Sequence, residues 1–331
     1  MIHLLVPPQN RGGVYDFART LQAAIGSDLA CLANVSEKNA SDWKVGPDDT
    51  VLLQYSGYGF ARRGAPIWLL RALETRRHDI KRLGIYFHEL HAFGPPWRSS
   101  FWLSPLQRHI ASRLAKLSDF WMTNREGSAQ WLSKFSGEKP HVVLPVFSNV
   151  GESLSRPEVR FPRIVVFGSP SLRQKTYQVV GDKLYAWARQ ASLEVHDIGA
   201  PIVDAQLAET MSANGVIQHG LLDENEVGNL MDKAKFGLLA YPVHVIAKSG
   251  VFAAYCAHGI CPILLSDSYE ATDGVVAARH YLTGIPSNSV SVLEANQIGD
   301  GAWSWYQGHR VAVHAKKILR LAGLKATVSR D

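Results

Sequence analysis

The chain is poor in cysteine, has no long apolar run, and concentrates neither sign of charge. Three cysteines in 331 residues, Cys31, Cys256 and Cys261, are too few for a disulfide framework. Cys256 and Cys261 have no second cysteine pair near them, so a zinc site of the usual spacing is not expected. They read as buried thiols of a reducing compartment. No stretch of about 18 consecutive apolar residues occurs, so no membrane-spanning helix is expected. The start, Met1 to Pro8, is apolar but too short for a secretory signal. A cytoplasmic protein is the expectation. Catalytic signatures are also missing. There is no G-x-G-x-x-G, which counts against a nicotinamide oxidoreductase. No P-loop, G-x-S-x-G elbow or H-E-x-x-H is present, and no Asp-x-Asp that would hold a metal-bound diphosphate.

What is there begins with a net charge of +6 and 46% hydrophobic residues. The positive excess admits an anionic partner. No dense Lys/Arg block accompanies it. Arg62-Arg63 and the stretch Arg71 to Arg82 alternate with apolar residues, as a solvated helix face does. Nucleic acid is therefore not an expected partner.

Short apolar runs alternate with longer amphipathic ones, the pattern of a parallel sheet with helical crossovers. In the first half the strands are expected at Ile2–Val6, Leu29–Ala33, Thr50–Tyr55, Arg82–His88, Phe120–Thr123 and His141–Leu144. Helices are expected near Val14–Ile25, Pro66–Arg77, Phe101–Leu117 and Glu126–Phe135. From Val146 to Pro162 the periodicity lapses into linker composition. The pattern then restarts, with strands at Arg163–Phe167, Leu193–Ile198, Gly215–His219, Phe236–Ala240 and Cys261–Leu265. Helices are expected over Lys175–Gln190, Val203–Ser212, Glu224–Lys233, Gly250–Ala257 and about Trp303–Leu321. The fold class is α/β, two Rossmann-like domains over 1–150 and 160–302, with a helix over 303–322. Ligands of such sheets sit beyond the carboxyl ends of the strands, here expected in the cleft between the domains.

Four loops after strands carry chemistry-bearing residues. Pro7 to Val14 holds Gly12 and Gly13 at a helix start, where bare amides can approach a ligand; a plain tight turn is the simpler reading. Tyr86-Phe87-His88-Glu89-Leu90-His91 ends a strand with His88, which can donate to a sugar hydroxyl or a growing anion; a structural histidine is the alternative. His91 lies further into the loop. Gly94-Pro95-Pro96-Trp97-Arg98 downstream reads as a rigid loop bearing an aromatic and a cation. Gly168 to Lys175 places Arg173 and Lys175 where they can meet a diphosphate, or be solvated cations of a helix start. Lys248-Ser249-Gly250 opens a helix with a cation, a hydroxyl and free amides together; Ser249 as a simple N-cap is the alternative.

In this order the loops resemble those of the GT-B glycosyltransferases of the group 1, or family 4, kind. Gly12-Gly13-Val14 resembles the family's glycine loop, Phe87-His88-Glu89 its histidine near the donor sugar, and Thr123-Asn124-Arg125-Glu126 the start of its fifth crossover helix. Gly168 with Arg173 and Lys175 is similar to the pyrophosphate site. Gly220 to Leu239 follows the nucleotide-side helix, with Asp223, Glu224 and Glu226 as candidate ribose or base contacts. Ala257 to Ile263 resembles the Ala-x-Gly-x-Pro-Val turn, with one residue inserted. One departure is plain: the family's two glutamates fall at Ile246 and Ala254, neither acidic.

The resemblance implies transfer of a sugar from a nucleotide diphosphate sugar to a glycan or lipid-linked acceptor, as in surface polysaccharide biosynthesis. It implies retention of anomeric configuration without a metal or other cofactor. His88, Arg173 and Lys175 would be catalytic. Gly12, Gly13, Asn124, Gly168, Lys248, Ser249, Gly250 and Glu224 would bind substrate. The first domain would hold the acceptor and the second the donor, with the last helix returning to the first. The missing glutamates motivate an alternative, a non-catalytic nucleotide- or sugar-binding relative. Arg62, Arg63, Trp68, Arg71, Trp97, Arg98 and Trp102 would suit weak association with the inner face of a membrane, although Trp68 and Trp102 also fit a core.

Overall fold

The computed structural model describes residues 1–9, 12–40, 43–92, 97, 99–157, 159–286 and 290–324. The chain divides into two compact units, one of residues 1–145 with 311–331 and one of residues 146–310. No helix among the described residues is long and apolar enough to cross a membrane.

The first unit runs β1 (Ile2–Val6), α1 (Gly13–Ile25), β2 (Ala30–Asn34), β3 (Thr50–Tyr55), α2 (Gly57–Phe60), α3 (Ile67–Thr75), β4 (Arg82–Phe87), α4 (Ser99–Leu117), β5 (Phe120–Thr123), α5 (Glu126–Ser136) and β6 (His141–Val143). All its strands pair in parallel, in the order β2-β1-β3-β4-β5-β6. Alternate side chains, among them Leu5, Val51, Leu53, Leu83 and Ile85, pack on one face against Leu69 and Leu73 of α3, Ile110 and Leu114 of α4 and Leu132 of α5. The buried residues of α1, Phe17, Ala18, Leu21 and Ile25, recur at helical spacing.

The second unit runs β7 (Phe161–Phe167), α6 (Pro170–Val180), α7 (Asp182–Gln190), β8 (Glu194–Ile198), α8 (Ala205–Ala213), β9 (Ile217–Gln218), α9 (Glu224–Lys233), β10 (Ala234–Ala240), α10 (Gly250–Ala257), β11 (Cys261–Leu265), β12 (Leu282–Thr283) and α11 (Val292–Gln307). A final helix, α12 (Val311–Ala322), belongs to the first unit and packs on α1. The sheet order is β12-β11-β10-β7-β8-β9. Counted from β7 this is the dinucleotide-binding order, and it reverses between β7 and β10. Ile164, Val166, Phe236, Leu238 and Ile263 meet Tyr177, Leu184, Trp187, Met211 and Ile298 in its core.

Two expectations differ. The helix read over Lys175–Gln190 is two helices that meet at Gly181, the C-cap of α6. The helix read over 303–322 is also two, divided at 308–310 between the two units. In both places the apolar rhythm runs on while the chain turns at a glycine, and periodicity alone does not register a turn of one to three residues.

Candidate functional site

In the first unit the carboxyl ends of β3, β4 and β5 bring His88, Gln54 and Asn124 together. The His88 amide continues the ladder by donating to the Tyr55 carbonyl at 2.9 Å. Its ring stacks on Tyr86 at 4.4 Å and meets the edge of Phe17 at 4.9 Å. Nε2 lies 2.9 Å from Gln54 Oε1. Burial, and then the neighbouring His314, push its pKa down to about 3. His88 is thus a neutral imidazole at physiological pH, a hydrogen-bonding group rather than a cation or a proton donor from an imidazolium.

Asn124 donates from Nδ2 to the His88 carbonyl at 3.3 Å, and Thr123 donates to that of Phe87 at 3.0 Å. Asn124 therefore braces the loop that presents His88. Gln54, inside the otherwise apolar Val51-Leu52-Leu53 run, is fully buried, and its Nε2 has no partner. Sequence reasoning passed over it, although an amide near the end of an apolar strand is itself a signal. Ser56 donates to Glu89 at 3.3 Å just beyond.

Gly12 has a φ of +99° and opens α1 with no side-chain cap. A Cβ on Gly12 or Gly13 would meet nothing within 4 Å. The first helical bond is Asp16 N–H to the Gly12 carbonyl, so the preceding amides are without helical partners. Asp16 already supplies a carboxylate in that turn. With His88 neutral and Asp16 and Glu89 acidic, this end of the unit suits hydroxyls better than phosphate. Gly94, Pro95, Pro96 and Arg98 lie outside the described residues, as do Asn10 and Arg11.

In the second unit the reversal point between β7 and β10 gathers the Gly168 loop and the start of α10. Gly168 has a φ of +132°, and a Cβ there would lie 3.2 Å from Val251 Cγ2 in the first turn of α10. Ser249 is buried and its hydroxyl accepts from the Phe252 amide at 3.2 Å, the geometry of an N-cap. The first helical bond there is Ala253 N–H to the Ser249 carbonyl, which leaves the Gly250 and Val251 amides for a ligand. Asn149 Oδ1 would lie 3.7 Å from a Cβ on Gly250. Lys248 is half-buried and His244 exposed in the segment leading to Ser249. Asn149 and His244 had no pattern in the sequence to mark them.

Arg173 does not face a ligand. It is only 1% exposed. Its guanidinium pairs with Asp197, donates to the Gly168 carbonyl at 3.0 Å, and donates to the Ala200 carbonyl. The three bonds tie the loops after β7 and β8 together. Gly199, at φ +144°, is needed beside them, because a Cβ would collide with the Gly168 carbonyl. Arg173 is thereby a brace beneath the loop, and the expectation of a diphosphate-facing fork is corrected. Its position on the buried face of α6, with Thr176, Tyr177 and Val180, is the reason. Lys175 lies on the outer face of the same helix, exposed and without a hydrogen bond or ion pair among the described residues. It sits in the second turn rather than at the helix start, which Ser169 caps.

Glu224 is exposed at the first position of α9. Asp223 and Glu226 close a capping box on each other's amides at 2.8 and 2.9 Å. Ile246 and Ala254 are fully buried, so the two positions expected to carry glutamate are core positions here.

No family model matches the sequence, and no curated protein sequence matches it. Solved structures do. A pneumococcal O-GlcNAc transferase, GtfA, in complex with UDP and GlcNAc superposes with a TM-score of 0.56 over 87% of this chain at 11% identity. The fold is that of the GT-B glycosyltransferases. The Anabaena protein HepE, in complex with UDP-glucose, matches with a TM-score of 0.59 over 98% of this chain and 100% of its own, at 11% identity. An α-glucosyltransferase in complex with UDP and a DNA 13-mer matches with 0.54 over 97% and 99%, again at 11% identity. This chain spans only 59% of the length of GtfA.

Proposed function

We propose that this chain is a glycosyltransferase that takes a nucleotide diphosphate sugar as donor and passes the sugar to a glycan or lipid-linked acceptor. The observation that carries the reading is the second unit's reversal point, where the Gly168 loop lies against the uncapped Gly250 and Val251 amides. In the reaction the bond from the anomeric carbon to the β-phosphate oxygen breaks, and one to an acceptor hydroxyl oxygen forms. The acceptor hydroxyl oxygen stays in the new bond and gives up its proton to the departing diphosphate, on whose β-phosphate negative charge grows until that transfer. Fixed amides at a helix start stabilise such charge without reorganising. Lys175 and Lys248 add cations, while Arg173 holds the loop in place. Glu224 is proposed for the nucleotide side. His88, neutral and held by Gln54 and Tyr86, presents a hydrogen-bonding edge to sugar hydroxyls beside Gly12, Gly13 and Asn124. Retention of configuration, metal independence and a role in surface polysaccharide synthesis belong to this reading. So does the use of a uridine nucleotide, which the bound ligands named for GtfA and HepE support.

A lipid-linked acceptor draws support from α4. Trp102 is 72% exposed with Phe101 against it at 5.4 Å, and Trp97 is 84% exposed. Trp68, by contrast, packs on Phe60 in the core. The exposed pair suits the headgroup region of a bilayer.

The test is a thermal-shift series with UDP, GDP and ADP, followed by transfer and hydrolysis assays with the matching nucleotide sugars, with and without EDTA. A nucleotide at 100 times its Kd should stabilise by about 2.7 kcal/mol. Turnover that survives EDTA is expected. No shift with any nucleotide would defeat the proposal. The buried Ile246 and Ala254 favour a second reading, a binding protein without transfer activity. Nucleotide binding with neither hydrolysis nor transfer would select it.

A further inference from the structure

At the opposite, amino end of the first sheet lies a cavity of about 360 Å³ that the proposed reaction does not use. Three cations from two elements line it: Arg82 at the start of β4, and Lys317 and Arg320 on α12, with His141 of β6 beside them. Pro140, Val142 and Leu321 complete the wall, and among the described residues no carboxylate contributes. Among the described residues none of the three cations forms an ion pair.

Cations near a helix C-terminus usually answer its free carbonyls. Here the chain does that itself. Gly323, at φ +74°, lets the Leu324 amide donate to the Leu319 carbonyl at 2.9 Å and the Gly323 amide to that of Arg320 at 3.1 Å. Arg82 lies over this turn, since a Cβ on Gly323 would fall 2.7 Å from its Nη1. The His141 ring is fixed as well, stacked on Trp121 at 4.3 Å with Nδ1–H donating to the Lys139 carbonyl at 3.1 Å. A pocket with three unanswered positive charges, a fixed imidazole and, among the described residues, no acid is complementary to one kind of ligand.

We infer that this pocket binds a phosphate ester or diphosphate carrying at least two negative charges, at a site separate from that of the sugar donor. Either a free phosphorylated solute or the headgroup of an anionic lipid supplies that chemistry. The experiment uses the full chain and two probes. Inorganic pyrophosphate is titrated calorimetrically in the absence and in the presence of saturating UDP, and flotation is measured with phosphatidylglycerol against phosphatidylcholine vesicles. Wild type is compared with Lys317→Gln/Arg320→Gln and with Arg82→Gln. All three side chains reach the surface, and an unchanged melting temperature checks that each variant is folded.

Each cation removed should weaken binding about tenfold. Pyrophosphate binding that persists under UDP and falls in the variants supports a soluble ligand. Flotation on phosphatidylglycerol alone that falls in the variants supports a headgroup. Binding of neither probe, or binding equal in wild type and variants, overturns the inference. Because the titration is also run without UDP, a chain that bound no nucleotide would still report on this pocket.

Discussion

His88 and His314 are two imidazoles kept neutral by burial, with pKa values pushed down to about 3 and about 4. In the unfolded chain each would titrate near the ordinary imidazole value of about 6.5. As pH falls through that value the unfolded state takes up protons first, so stability declines and continues to decline until the folded values are reached. Each imidazole should remove about 1.4 kcal/mol per pH unit across that window. Urea titrations from pH 7 to pH 4 should show a shallower loss in His88→Gln than in wild type. The same neutrality predicts that His88 leaves no inflection in kcat/KM between about pH 5 and 8, where an imidazole of ordinary pKa would. Arg173 is the other decisive residue. Arg173→Ala strands Asp197 in the interior and should cost about 3–5 kcal/mol in chemical denaturation. If Arg173 acts as a brace, Arg173→Lys, which keeps the charge and loses the fork, should also weaken nucleotide binding. Equal nucleotide affinity in wild type and Arg173→Lys would show that the loop does not depend on that geometry.

At the scale of elements, the strands were the most legible part. Thr50–Tyr55, Phe120–Thr123 and Cys261–Leu265 occupy the residues expected of them, because a strand buried on both faces is a continuous apolar run with few other readings. β12, two residues long, has no such run and was not foreseen. The helix start at Ser249 was legible as a position, and its hydroxyl took the simpler role of cap. Arg173 was legible as an important residue and misread in direction. Sequence spacing gives a residue's place on a helix, but the partner it turns toward, Asp197 on β8, comes from the tertiary fold. Gln54 left only the small signal of one amide in an apolar strand, which does not alter the strand's period. The element-level consequence is testable at α10. Ser249→Ala removes the cap and should cost about 1 kcal/mol, read as a lowered melting temperature. It should leave nucleotide binding within a few-fold, since the Gly250 and Val251 amides remain.

For the molecule as a whole, each unit has its own parallel sheet and its own core. Nucleotide should therefore stabilise the second unit selectively. Hydrogen exchange with UDP bound is expected to slow amides around Gly168 and Gly250–Phe252 while those of β1 to β3 stay unchanged. Protection confined to the first unit would reverse the assignment of donor and acceptor. The two-unit architecture was readable from the lapse of periodicity after Val146. The boundary at the other end, inside what looked like one helix, was not, because Gly308 and Arg310 interrupt it without changing its composition.

The first unit is discontinuous in the chain, and that has a bearing on how the protein is made. Phe17 and Tyr86 wait for His314, whose ring lies 5.6 and 6.1 Å from theirs. On a ribosome, residues 146–310 emerge as an uninterrupted stretch able to collapse on themselves. The earlier-born sheet meanwhile stands with the outer side of α1 bare until α12 is translated. A nascent chain stalled before Val311 should thus carry a settled later half beside an earlier half still open to chaperones and proteases.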